Sequence, residues 1–111
     1  MTQVNLSQNI SIILAVLKTY LQQEYSGRLF RIILFGSQAR GNATDLSDID
    51  ILVVLNDPVD ASVEIERTSQ FIAQLCLKHN VLISRLFLGR SRFDTENSPL
   101  LRNIRFEGVV L

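Results

Sequence analysis

The sequence predicts one α/β domain of the α+β type, and three observations carry that reading. Apolar residues recur at helical spacing in two long segments. Three short, β-branched apolar runs are set off by glycine, proline and asparagine. Their order is helix, strand, strand, helix, strand, helix, with helices and strands interleaved throughout the chain. At 111 residues the chain suits a single domain, residues 1–111, long enough to bury a core without disulfide staples.

In the first helix Leu6, Ile10, Ile13, Leu14, Leu17 and Leu21 share a face. Asn5 or Ser7 is placed to cap its start. Ile12, Val16 and Tyr20 widen the apolar arc beyond one core-facing stripe, so this helix is either buried on two sides or meets a partner. The segment 28–36, RLFRIILFG, reads as a strand ending at Gly36. Ile49–Leu55, IDILVVL, is nearly continuous in apolar residues, as a strand covered on both faces would be. NDPVD then breaks the chain, and Asp60 caps a helix in which Ile65, Thr68, Ile72, Leu75 and Cys76 share a face. Glu64 and Glu66 near its start and Lys78 near its end suit the helix dipole. Residues 80–88, NVLISRLFL, form a third strand. Ser98 and Pro99 open a short last helix that Gly108 closes, and VVL adds a small edge strand.

Composition narrows the function. Eleven basic residues balance eleven acidic ones, so no general field draws nucleic acid, and any phosphate binding must be local. The single cysteine, Cys76, forms no intrachain disulfide and reads as a small core residue of a reducing interior. The lone His79 ends a helix and is not read as a ligand. No run of apolar residues is long enough to span a bilayer, and the start MTQVNLSQN has no signal-peptide character. The expected location is cytoplasmic.

The chemistry concentrates in LFGSQARGNATDLSDIDILVVL. Gly36 ends a strand, and a glycine there lets the backbone approach a ligand. The turn that follows directs free N–H groups outward, and the Ser37 hydroxyl adds a donor, which together suit a phosphate oxygen. Asp48 and Asp50, two residues apart on a strand, point to the same side, about 6–7 Å apart at the backbone. Unpaired carboxylates this close repel, and a divalent ion removes that cost. Mg²⁺ favours one or two carboxylates together with substrate phosphates and water. Arg40, in the connecting loop, either contacts the triphosphate or pairs with Asp45. Asn42 and Asp45 read as turn residues.

Gly36-Ser37, ten residues, then Asp48-Ile49-Asp50 matches the GS-x10-DxD signature of the DNA polymerase β-like nucleotidyltransferases. GSQARG…SDIDILV most resembles the minimal nucleotidyltransferases, or MNT proteins, the antitoxins of HEPN/MNT toxin–antitoxin systems, and the closing SPLLRNIRFEGVVL resembles the end of such domains. The resemblance implies a mixed β-sheet flanked by helices. It implies two Mg²⁺ ions on Asp48 and Asp50, and ATP with its β- and γ-phosphates on Gly36 and Ser37. It further implies transfer of AMP to a tyrosine of a helical HEPN toxin, with which the chain forms a hetero-oligomer.

The chain departs from the family at one place. Nucleotidyltransferases usually place a third carboxylate on a later strand facing the pair, as metal ligand and base. The strand here, Val81–Leu88, has no acid; Ser84 or Arg85 stands in that region, and Asp94 and Glu96 lie downstream, in what reads as a loop. A second hypothesis is therefore a catalytically weak module of the same fold that neutralises its partner by binding. A third is transfer to a small-molecule hydroxyl such as that of an antibiotic; enzymes of that kind usually hold the acceptor with an extra helical domain, which is not expected in a chain of 111 residues. Arg85, Arg90, Arg92, Arg102 and Arg105 gather in the last third, either as a surface with local ion pairs or as a basic face, and few aromatics interleave to make a nucleic-acid stacking platform.

Overall fold

A computed structural model describes residues 8–41, 43 and 48–111. The expected caps Asn5 and Ser7, the helix residue Leu6 and the turn residues Asn42 and Asp45 lie outside the described residues.

The chain runs α1 (Gln8–Tyr25), a 3₁₀ turn (Ser26–Arg28), β1 (Leu29–Phe35), α2 (Gly36–Arg40), β2 (Ile49–Leu55), α3 (Ala61–His79), β3 (Ile83–Gly89), α4 (Arg90–Thr95), α5 (Pro99–Glu107) and β4 (Val109–Val110). The sheet order is β3-β2-β1-β4. β1 runs antiparallel to both β2 and β4, whereas β2 and β3 are parallel, so the sheet is mixed. The parallel pair needs a long crossover, and α3 supplies it.

Strand periodicity sorts the core into two layers. Ile32 and Leu34 of β1, Ile49, Ile51, Val53 and Leu55 of β2, and Ile83 and Phe87 of β3 pack against Ile13, Leu14, Leu17 and Leu21 of α1 and Ile72 and Leu75 of α3. On the opposite face Ile33, Leu52 and Val54 meet Phe93 of α4 and Leu101 and Ile104 of α5. β2 is covered on both sides, which accounts for its nearly continuous apolar sequence. The expected helix signals are present: Asp60 accepts from the Ser62 and Val63 amides, and Ser98 accepts from the Leu101 amide with Pro99 at the first position. Gly108 ends α5, and Val109–Val110 pairs with β1.

α3 is rotated relative to the sequence expectation. Its inward face is Glu64, Thr68, Ile72 and Leu75, while Ile65 is exposed and Cys76 only partly buried. Glu64 lies in the first turn as the helix dipole favours, and it is buried. The Tyr25 hydroxyl donates to its Oε1 at 3.0 Å, Arg28 Nη1 lies 3.2 Å from Oε2, and Arg67 Nε lies 3.2 Å from Oε1. A buried carboxylate is retained only when its lone pairs are filled. Burial, and then the hydrogen bond to Glu64, push the Tyr25 phenol well above its ordinary pKa, so it stays a donor. Tyr25→Phe is expected to cost about 1.5 kcal/mol of folding stability, the lower end for a hydrogen bond to a charged group because Arg67 still reaches Oε1. Urea denaturation measures it; an unchanged midpoint would remove Tyr25 from the network.

Two further expectations are corrected. Arg40 lies at the end of α2 rather than in a loop, and Asp94 lies within α4, with Glu96 as its C-cap. Among the described residues no helix is long and apolar enough to cross a membrane.

Candidate active site

Phe35 at the end of β1 pairs with Asp50 at the start of β2. The next residue, Gly36, turns the chain at φ +73°, a conformation glycine adopts freely and other residues rarely do. A side chain there would also have no room: a Cβ would collide with Asp50 Oδ2 and stand 3.3 Å from its Cγ. The glycine thus serves twice, turning the backbone into α2 and letting the turn lie directly against the carboxylate. No side chain caps the start of α2, leaving its first N–H groups, with the Ser37 hydroxyl, to meet a ligand. Gly41, at φ +78°, closes α2 after Arg40.

Asp48 immediately precedes β2 and Asp50 is its second residue; both are half-buried. Ile49 and Ile51, the alternate residues, are buried among the helices of the other face. Burial raises the Asp50 carboxyl pKa, the charge of Asp48 raises it further, and Arg40 opposes both. The three expected residues Asp48, Asp50 and Arg40 therefore share one electrostatic site. Arg40 also reaches across to α5, with Nη1 3.3 Å from Glu107 Oε2. Glu107 was not legible as part of this neighbourhood, because nothing local in the sequence links residues 67 positions apart.

The parallel register fixes what stands beside the acid pair. Asp50 pairs with Ser84 and Ile51 with Arg85. Ser84 therefore lies beside Asp50 on the same face of the sheet. Arg85 points the other way, its Nε donating to Thr68 Oγ1 at 2.8 Å and its Nη2 to the Ile65 carbonyl at 2.7 Å. Asp94 and Glu96 are engaged locally, with Arg90 at 3.6 Å and Arg92 at 2.7 Å. Arg105 donates to the Phe93 and Glu96 carbonyls, and Arg102 to the Asn97 carbonyl. These arginines follow the local-pairing reading rather than that of an open basic face.

The donor set bears on a metal. Among the described residues no three acidic, histidine or cysteine side chains gather into a cage. Two neighbouring carboxylates, of which Asp50 is raised by burial and by the charge of Asp48, set against a turn with open donors, instead match a divalent cation completed by substrate phosphates. The residues fit Mg²⁺ held together with a nucleotide.

Comparison with known proteins shows the family of the chain. A nucleotidyltransferase domain model matches residues 14–108. The chain belongs to the nucleotidyltransferase family. It is thus an enzyme of the nucleotidyl-transferring class. It is 38% identical over 92 residues to MJ0604 of Methanocaldococcus jannaschii, provisionally named a protein adenylyltransferase, covering 82% of this chain and 86% of that protein. The fold matches a toxin–antitoxin crystal structure with AMP-PNP at a TM-score of 0.59 and 20% identity, over 94% of this chain and 72% of the other. It also matches a chain from the complex of tri-AMPylated Shewanella oneidensis HEPN toxin with MNT antitoxin at a TM-score of 0.56 and 18% identity, over 93% and 71%. A Sulfolobus solfataricus protein provisionally described as a nucleotidyltransferase matches at 0.57 and 22%, over 98% and 90%. The mixed sheet flanked by helices is the one these proteins share.

Proposed function

We propose that residues 1–111 form a minimal Mg²⁺-dependent adenylyltransferase that moves AMP from ATP to a hydroxyl of a partner protein, a tyrosine of a HEPN-type toxin, and so acts as an antitoxin. The observation that carries this reading is the packing of Gly36 onto the Asp50 carboxylate, which joins a phosphate-accepting turn to an acid pair. The name of the M. jannaschii relative supports a protein acceptor, and the toxin–antitoxin titles of the structural neighbours support the kind of partner.

Gly36 and Ser37 bind the β- and γ-phosphates through backbone and hydroxyl donors, and Arg40 adds positive charge at their edge. Asp48 and Asp50 would hold two Mg²⁺ ions, whose chemistry is to offset charge on the transferred and departing phosphates. The acceptor oxygen forms a bond to the α-phosphorus as the α–β bridging bond breaks. Pyrophosphate leaves with that electron pair, and the hydroxyl proton passes to water. Positioning and electrostatics supply most of the rate in such reactions.

One observation favours a second reading. Ser84 stands beside Asp50 where an additional carboxylate would complete the site, so a module that neutralises its partner chiefly by binding is the alternative. ATP labelled at the α-phosphate, incubated with a candidate HEPN partner, separates the two. Label on the partner that vanishes in an Asp48→Ala/Asp50→Ala protein is the expected result. Neutralisation without label, surviving the double substitution, would establish the binding reading instead.

A further inference from the structure

On the face that carries the acid pair, the three long strands are covered unequally. α4 and α5 bury Ile33 of β1 and Leu52 and Val54 of β2. Leu88, near the end of β3, packs against that cluster, but the part of β3 beside the acid pair is left open: Ser84 is exposed, Leu86 is 42% exposed, and Leu82, just before the strand, is 60% exposed. These residues stand in register with the site. The Leu82 carbonyl accepts from the Ile49 amide at 2.9 Å, Ser84 pairs with Asp50, and Leu86 pairs with Leu52. β3 is also the edge of the sheet, with no described strand beyond it. An apolar shelf thus continues directly from the carboxylates to an unpaired strand edge.

The opposite side of the pair is taken. The Gly36 turn packs on Asp50 from the β1 side. In an in-line displacement the attacking and departing oxygens lie on opposite sides of the phosphorus. With the departing phosphates on the β1 side, the attacking hydroxyl must arrive over β3.

We infer that the acceptor is an extended polypeptide segment laid along the β3 edge, with its hydroxyl-bearing residue beside Ser84 and apolar residues two positions to either side resting on Leu82 and Leu86. This inference rests on the nucleotidyl-transfer reading above and names its acceptor side. An added strand gains its affinity from main-chain hydrogen bonds to an open edge, and its specificity from alternate side chains that share a face. The bond made is from the acceptor oxygen to the α-phosphorus; pyrophosphate departs with the electrons of the bond broken, and the acceptor proton goes to water. Leu82 and Leu86 select the acceptor and take no part in that exchange.

The probes are two synthetic peptides with a central tyrosine, one with leucine and one with lysine at the positions two before and two after it. With Mg·ATP, the wild-type protein is expected to show a KM about tenfold lower for the leucine peptide, as a single well-placed apolar contact provides. A Leu82→Glu/Leu86→Glu protein is expected to reverse the preference while its calorimetric Kd for Mg·ATP stays within about twofold of wild type. Leu86→Ala, a milder change, is expected to reduce the preference without reversing it. Equal KM values for both peptides in the wild type, an unaltered leucine preference in both variants, or no transfer to either peptide by a protein that binds Mg·ATP would overturn the inference. Failure of the wild type to bind Mg·ATP would overturn the nucleotide site itself.

Discussion

Asp50→Asn is expected to yield a protein at least as stable as wild type in the absence of nucleotide, yet slower in transfer by about a hundredfold or more. The two effects have one cause. In the folded chain the Asp50 carboxylate loses water and faces Asp48, and both effects raise its pKa above the ordinary 3.8. A carboxyl whose folded pKa is raised contributes stability that is fully present below its unfolded pKa and is lost as pH rises through the folded value. At neutral pH the ionised pair therefore weighs against the fold, and an amide of the same size relieves it. Asparagine is a poor substitute as a ligand for a hard divalent cation, so the charge that anchors Mg²⁺ and the phosphates is lost. Thermal unfolding with and without Mg·ATP checks both halves. The wild-type midpoint should rise when the nucleotide is added, since a ligand bound only to the folded state stabilises it, and the variant's midpoint should not. A variant less stable than wild type without nucleotide, or one still stabilised by Mg·ATP, would show that Asp50 is a structural acid and not a ligand.

The positions of these candidate residues were legible in the sequence, while their surroundings were not. Asp48, Asp50, Gly36 and Ser37 are tied to strand ends, and strand ends are marked locally: a nearly continuous apolar run names β2, and a glycine after the apolar run names the end of β1. The caps at Asp60 and Ser98 are equally local, because each reports on amides two or three residues ahead. Glu64 is different. Its burial depends on Tyr25 and Arg28, which lie 39 and 36 residues earlier, and no periodicity encodes that pairing. β3 begins at Ile83 and not near Asn80, because Asn80 adopts a left-handed C-cap, from which Val81 still bonds back to Cys76. α2 and α4, with five and six residues, are too short for apolar periodicity to reveal. The choice between Ser84 and Arg85 as the neighbour of the acid pair needed the register of a parallel strand contributed after a 19-residue helix.

Gly36→Ala is expected to produce the opposite split, a modest loss of stability with a large loss of transfer. The stability cost has a local origin. At φ +73° a Cβ crowds its own backbone, which costs about 1–2 kcal/mol per residue. The cost to function comes from the carboxylate that the new methyl group would strike. The obstacle is a side chain and not backbone, so Asp50 can yield by rotating away, and the fold survives. Yet rotation takes the carboxylate out of line with Asp48 and separates it from the turn that receives the phosphates. A displacement of about 1 Å in a positioned group is enough to cost about a hundredfold in rate. Transfer should therefore fall by about that factor, with a weakened affinity for Mg·ATP and a urea midpoint lowered only slightly. Combining the change with Asp50→Asn tests the mechanism directly. Because both act through one carboxylate, their effects on transfer should fall well short of multiplying. If the two losses multiply in full, the glycine acts independently of Asp50, and the contact between turn and acid pair is not what assembles the site.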